Sequence, residues 1–440
     1  MEFKPFFINS NICLNKEDIQ SFDSFMNAVA GNTGNSYITY ALLKELGVDC
    51  RKLHHIQNIY TYDFKNMDSD IEQIRSSYSH LFLILQDQIR ISESYGLQLP
   101  YGNIEQFIKK SQKPVIIAGL GANSFNGFDP LFYKQLNPNL VNFLHFLSDH
   151  TLEIGVRGNF TAEVLGQLGI KNVRVIGCPS FYEMEPDRVI RKLSNISLDD
   201  ILLTHASPIL SLKYNHQICQ DFQEEDIIRS IAFGEFSEID NLDKIRNILY
   251  KKYTVFSNIE LWKKYISGFS FAFGDRLHGS ICALNAGVPA MCTNGDSRAR
   301  EMCEFLHIPY YSKIDENTDV LELYRQINID DLNTNYNSLF KNFRDFIQKN
   351  ADIEIFSREA FFQQPSLNLY TVPGNSSVIF CNYWASKLAS KLDILSSQVD
   401  YLISKAHKPT FLQQIFSVRN EGDHKVLRIL GLKIKFRRRK

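Results

Sequence analysis

The sequence predicts an α/β protein with two doubly wound parallel sheets facing each other across a cleft, followed by a helical extension and a basic tail. Three observations predict it. Strand-length apolar runs alternate with helix patterns through residues 36–176, and the alternation restarts at Ile201 after a polar segment around 185–200. With 440 residues, of which 44% are hydrophobic and 22% charged, the chain can bury two cores and has an ordinary globular composition. Charge is uneven: residues 405–440 carry 11 Lys/Arg against 2 Asp/Glu, in a chain of net charge −1. The expected boundaries are 1–185 for the first Rossmann-like domain, 186–312 for the second, 313–404 for the extension and 405–440 for the tail.

In the first domain, Ser36 to Leu46 reads as a helix with Gly47 as its stop. Ile56 to Tyr62 and His80 to Leu85 read as strands, and Asn103 to Lys110 as a helix. Pro114 to Gly121 is a strand running into a glycine turn, and Leu152–Val156 and Val173–Ile176 complete a parallel sheet. The second domain repeats the pattern. Strands are expected at 201–205, 253–256, 271–273 and 288–292, with helices at 224–232 and 298–306. Beyond residue 312, Leu339 to Gln348 reads as a helix and Pro365 to Asn375 as a loop. Residues 385–406 form an amphipathic helix pattern, with Leu388, Leu392, Leu395, Val399 and Leu402 at three- and four-residue spacings.

Several function classes are disfavoured. The N-terminus has no long apolar segment of signal-peptide type, and no stretch approaches the roughly 20 apolar residues of a membrane span, so a cytoplasmic location is expected. The 8 cysteines are scattered, without Cys-x-x-Cys or a Cys/His clamp, which argues for reduced thiols and against a zinc site. The basic tail ends in Lys433-Ile-Lys-Phe-Arg-Arg-Arg-Lys440. It reads either as a solvated tail or as a peripheral anchor to anionic lipid on the inner face of the cytoplasmic membrane. No nucleic-acid-binding module is recognisable, and nucleic acid is not an expected partner.

The most informative segment is Phe271 to Ala290. An apolar strand runs into a turn carrying Asp275, Arg276 and His278, and a short helix follows, expected to open at Gly279-Ser280. Gly287 stands where a left-handed cap is expected, and Pro289 blocks continuation. A helix opening favours anions, arginine offers a planar donor fork, and histidine changes charge near neutral pH.

Arg276-Leu-His-Gly, the small-residue helix, Gly287-Val-Pro and Asp296-Ser-Arg-Ala-Arg-Glu301 together resemble the polysaccharide pyruvyl transferase family. The resemblance extends to Val156-Arg157 with its following helix, to Val173 through Phe181, and to the loop Gly31-Asn-Thr-Gly-Asn-Ser36. It covers roughly residues 25 to 312. Two departures stand out. Asn35 takes the place of an acidic residue common in the family, and Cys178-Pro179 that of an Asp-Pro.

The resemblance implies a glycosyltransferase-B-like pair of domains and assigns the Arg-x-His core to donor binding and catalysis. It further implies transfer of a pyruvyl group from phosphoenolpyruvate to a saccharide or lipid-linked saccharide as a ketal, for capsule or lipopolysaccharide. Phosphoenolpyruvate is then a co-substrate, and no cofactor or metal is expected. Arg157 and Arg276 are the candidates for the donor's anionic groups, with amides at Gly279 and Ser280, and His278 is the candidate acid/base. Asn32, Asn35, Asp275, Asp296 and Arg298 are candidates for acceptor binding or support, with a helix cap the simpler role for Asp296. Gly119-x-Gly121 is weak evidence of a ligand, a structural role is the simpler reading of His205, and Cys178 reads as a small buried filler. A nucleotide-sugar glycosyltransferase and a non-catalytic scaffold of a glycan assembly complex are the alternatives.

Overall fold

The computed structural model describes residues 3–15, 17–49, 53–91, 99–124, 127–183, 188–204, 214, 216–233, 252–293, 295–315, 317–352, 397–398, 416–421, 424–429 and 432–437. The chain divides into two compact units, Met1–Gly374 and Asn375–Lys440.

The first unit holds two parallel sheets. Sheet one contains β1 (Pro5–Ile8), β2 (His55–Ile56), β3 (His80–Leu83), β5 (Val115–Leu120), β7 (Ile154–Val156) and β8 (Val173–Val175), in the order β2-β1-β3-β5-β7-β8. All its pairings are parallel. A short pair, β4 (Ile89–Arg90) with β6 (Ala122–Asn123), extends two of its loops. Sheet two contains β9 (Ile201–Leu203), β10 (His216–Ile218), β11 (Lys252–Thr254), β12 (Phe271–Gly274) and β13 (Ala290–Cys292), in the order β11-β10-β9-β12-β13 and again all parallel. Each order reverses direction once, between β1 and β3 and between β9 and β12. Ligands of such sheets bind beyond the carboxyl ends of the strands at this switch.

The strands are nearly uniform apolar runs because both faces of each sheet are covered. Phe6, Ile8, Leu81, Leu83, Val115 and Ile117 face one core, whereas Phe7, Phe82, Ile116 and Ala118 face the other. The second core also contains β9 and β12, so it runs continuously from sheet one into sheet two. The helix Thr33–Glu45 is buried on almost every side, between the turn Pro179–Phe181 and the helices Ile259–Ile266 and Leu277–Asn285. Its hydroxyls must therefore find internal partners. Tyr37 donates to Glu183 and accepts from Asn285.

The helix expected at 339–348 spans Asp330–Ala351 and returns to sheet one. Asn342 donates to the Val175 carbonyl at 2.8 Å, and the Asn350 side chain accepts from the Glu153 amide at 3.0 Å. Phe346 fills the space beside Gly155 where any side chain would collide. The strand expected over 56–62 covers only His55–Ile56, and β1 and β10 were not anticipated. Both are only three or four residues long, and the His-Gln-Ile of β10 is not an apolar run.

In the second unit, β14 (Phe416–Glu421), β15 (His424–Ile429) and β16 (Leu432–Arg437) form an antiparallel meander. Segments inside the expected tail are therefore strands. Two-residue connections and alternation such as Lys433-Ile-Lys-Phe suit hairpins. The loop expected at 365–375 lies outside the described residues, as does all of the 385–406 helix except residues 397 and 398. Among the described residues no helix is long and apolar enough to cross a membrane.

Candidate functional site

The Arg-x-His segment lies at the switch of sheet two. Strand β12 runs between β9 and β13 and ends at Gly274, and Arg276 is the N-cap of the helix Leu277–Asn285. The helix thus opens at Leu277, two residues before the expected Gly279. The amides of Gly279 and Ser280 both donate to the Arg276 carbonyl, at 2.8 and 3.3 Å, so they are not the phosphate donors the sequence suggested. Gly279 serves packing instead: an added Cβ would lie 2.5 Å from Thr204 Cβ. Ser280 is buried, with its hydroxyl 3.4 Å from the Met291 carbonyl. Gly287 is left-handed and closes the helix as expected.

His278 points toward sheet one. A Cβ on Gly34 would stand 2.5 Å from its Nδ1, so only glycine lets the imidazole lie against the first turn of helix Thr33–Glu45. On the other side, His278 Nε2 is 3.6 Å from Cys178 Sγ. Burial pushes its pKa down to about 3, with Arg157 and Arg298 acting in the same direction and Asp87 against them. The resting imidazole is therefore neutral throughout the physiological range.

Arg157 and Asp87 from sheet one, with Arg298 from the helix after β13, supply the charges around it. Arg157 follows β7 and is only 2% exposed. Its Nε donates to the Gly119 carbonyl at 2.8 Å. Among the described residues this is its one side-chain hydrogen bond, and no carboxylate lies within 4.0 Å of its guanidinium. The Gly-x-Gly that read as weak evidence makes room for it: a Cβ on Gly121 would fall 2.8 Å from Arg157 Cδ. Gly119, left-handed, lies against Pro179 in the same way, at 2.9 Å from Cδ.

Asp87, in the loop after β3, accepts from Arg298 at 2.8 Å and from Asn123 at 3.2 Å. Burial would raise its pKa, but Arg298, Arg157 and Arg90 together hold it at about 2. Arg298 also donates to Asp296 at 2.9 Å, and Asp296 caps its helix by accepting from the Ala299 amide at 2.7 Å. Three guanidiniums thus face two carboxylates, and Arg157 is left with donors to spare. A buried cation in that condition favours an anion.

Glu301, one turn along the helix Ser297–Leu306, bridges the halves. It accepts from the Thr161 amide at 2.9 Å and the Thr161 hydroxyl at 2.6 Å, at the start of helix Asn159–Gln167. Gly158 leaves room for it, since a Cβ there would meet the Glu301 carboxylate at 2.7 Å. Burial raises its pKa to about 7 against the lowering effect of Thr161 and Arg157.

Arg276 is held differently from Arg157. Its Nη2 donates to Gln223 at 2.8 Å, and Asp221, Glu224 and Asp275 stand at 3.8, 3.9 and 3.9 Å. An anion would compete there with three carboxylates. Asp221 in turn accepts from Asn32 at 2.8 Å, while Asn32 caps its own helix through the Gly34 amide at 2.8 Å. Asn35 donates to the Val29 carbonyl at 3.1 Å. Both asparagines are engaged in shaping the start of the helix that carries Gly34. His205 lies outside the described residues.

The structure therefore brings together His278, Arg157, Arg298 and Asp296, and sets Arg276, Asp275 and Asn32 in a neighbouring acidic cluster. Sequence reasoning missed Asp87, whose signal is its position just past a buried strand, and it did not pair Cys178 with a histidine 100 residues away. Among the described residues no group of His, Cys, Asp and Glu is arranged to hold a metal ion.

A family model described as polysaccharide pyruvyl transferase matches residues 32–297 of the chain. No curated protein matches it. Solved structures similar to it include a functionally uncharacterised protein of Klebsiella pneumoniae, at 14% identity over 70% of this chain and 93% of that one, TM-score 0.34. Another is Anabaena Alr3699/HepE in complex with UDP and glucose, at 8% identity over 79% and 95% of the two chains, TM-score 0.37. A third is S. aureus MnaA with UDP, at 12% identity over 77% and 89%, TM-score 0.34.

Proposed function

Since the chain belongs to the polysaccharide pyruvyl transferase family, we propose that it transfers a pyruvyl group from phosphoenolpyruvate to a saccharide as a ketal, in the making of a bacterial surface polysaccharide such as capsule or lipopolysaccharide. The observation that carries this reading is Arg157, a buried guanidinium without a carboxylate partner among the described residues, beside the neutral imidazole of His278. Phosphoenolpyruvate presents a carboxylate and a phosphate on one enol carbon, which suits such a cation.

In this reading Arg157 takes the donor, with Arg298 behind it. The anion offsets the two guanidiniums that depress the His278 pKa, so donor binding raises the proton affinity of the imidazole. The imidazolium delivers a proton to the methylene carbon, giving a cationic C2. A sugar hydroxyl adds there and its proton goes to His278. Phosphate leaves, taking the proton held by His278, and a second hydroxyl closes the ketal as its proton passes to His278, which restores the imidazolium. Arg276 organises the acidic cluster and, through Asp221 and Asn32, the helix start that carries Gly34. The resting imidazole of His278 is neutral, and its protonation accompanies donor binding.

The test is phosphate release from phosphoenolpyruvate with a panel of sugar and lipid-linked acceptors. We expect acceptor-dependent release that falls about 10²–10⁴-fold in His278→Gln with donor affinity kept. Absence of phosphoenolpyruvate binding in wild-type protein would sink the reading. We further assign the 405–440 segment to an anionic membrane surface. Val418 and Phe436 are 63% and 53% exposed on one face of the meander, and Lys425, paired with Phe436, is exposed on that same face. Each basic residue near such a surface adds about 1 kcal/mol. Equal retention on neutral and anionic vesicles would remove this assignment.

A further inference from the structure

Among the described residues, the only hydrogen-bonding contact of the His278 ring is the sulfur of Cys178. The chain delivers that sulfur by a specific local route. Gly177 is left-handed, and Leu306 occupies the space a Cβ there would need, 2.4 Å away. Pro179 is held against Gly119, and the Ser180 hydroxyl lies 3.0 Å from Sγ. Cys178 itself is fully buried, so it reaches the reaction through the imidazole and not directly.

We propose that Cys178 is a positioning residue for His278: its sulfur accepts from Nε2–H and so leaves the Nδ1 lone pair, over Gly34, as the base. The tautomer of a histidine is set by the bond its other nitrogen makes. The thiol hydrogen then goes to Ser180, which completes the chain. A carboxylate in the same place would hold the ring equally well but would stabilise the imidazolium. A thiol orients the ring without adding charge, so the donor's own anionic groups control the protonation of His278. The charged groups facing His278 are Arg157 after β7, Arg298 on the helix Ser297–Leu306, and Asp87 after β3. Asp275 and Arg276 adjoin it in the chain. This inference rests on the acid/base role of His278 in the proposed function.

The test uses the full chain labelled with ¹⁵N-histidine, with the His278 ring assigned by its loss in His278→Gln. We expect one tautomer, protonated at Nε2, in the wild type and in Cys178→Ser. Cys178→Ala should give a tautomer mixture. Cys178→Asp should raise the His278 pKa by more than one unit. For phosphate release, Cys178→Ala should lower kcat about 10–100-fold with the donor KM unchanged, the range typical of partners that orient a functional histidine, and Cys178→Ser should recover most of it. An unchanged His278 tautomer and pKa in both the Ala and the Ser variants would overturn the proposal, and so would an unchanged kcat in Cys178→Ala. If Cys178→Asp fails to fold, the Ala and Ser variants decide. The ring measurements need no donor, so a protein that never uses phosphoenolpyruvate would fail the transferase reading while the Cys178–His278 pairing is still judged by NMR.

Discussion

Arg157 and Arg276 stand at equivalent places in the two sheets, each just beyond a parallel strand and before a helix, yet the fold treats them oppositely. Arg157 is buried with one backbone carbonyl as its hydrogen-bond acceptor and no carboxylate within ion-pair distance among the described residues. Arg276 is surrounded by Asp221, Glu224 and Asp275 and bound to Gln223. The first is a charge awaiting a counter-ion; the second is already neutralised. The same local motif therefore leaves one guanidinium without a carboxylate among the described residues and holds the other in an acidic cluster, and the difference lies in what the neighbouring loops bring.

The largest effect expected from this contrast is on Arg157→Ala. Removing hydrogen bonds to a charged ligand costs about 1.5–3 kcal/mol, so the phosphoenolpyruvate Kd by calorimetry should rise roughly 10–150-fold. A change under threefold would erase the distinction between the arginines. Glu301→Gln tests the clasp between the halves. A buried carboxyl with its pKa raised to about 7 contributes stability that is fully present below its unfolded value near 4.5 and is lost as pH rises through 7. The urea-unfolding free energy of the wild type should fall across that window by up to about 3 kcal/mol relative to Glu301→Gln. Parallel curves for the two proteins would contradict the raised pKa. Gly121→Ala should push Arg157 aside, since the new Cβ would lie 2.8 Å from its Cδ. We expect about a tenfold loss of donor affinity, near the lower end of the Arg157→Ala range. The smallest donor effect belongs to Arg276→Gln: affinity within about threefold, with about 1–3 kcal/mol of stability lost because Asp221 and Glu224 lose their cation. A donor defect equal to that of Arg157→Ala would return Arg276 to the donor site.

Much of the fold was legible because burial on both faces forces continuous apolar strands, and those runs were found at 80–83, 115–120, 154–156, 201–203 and 271–274. The strands of the two parallel sheets that escaped, Pro5–Ile8 and His216–Ile218, are three or four residues long and have no flanking pattern of their own. At the site, Arg157, Arg276 and His278 stood out because their chemistry is unusual beside a strand end. Asp87 and Cys178 did not. An aspartate in a loop and a cysteine before a proline are ordinary until three guanidiniums and an imidazole arrive from elsewhere.

The sequence by itself determined the two parallel sheets, the positions of the glycine turns and the presence of a cation and an imidazole at strand ends, since each follows from local pattern and local chemistry. Only the tertiary structure decided which arginine has no carboxylate partner among the described residues, that Asp87 would be enclosed by three arginines, that Glu301 would close the start of a helix 140 residues away and that Cys178 would meet His278. These pairings depend on strand order and on how helices cross between the sheets. No local window contains that information, because the partners are brought together by a shared core and not by their separation along the chain.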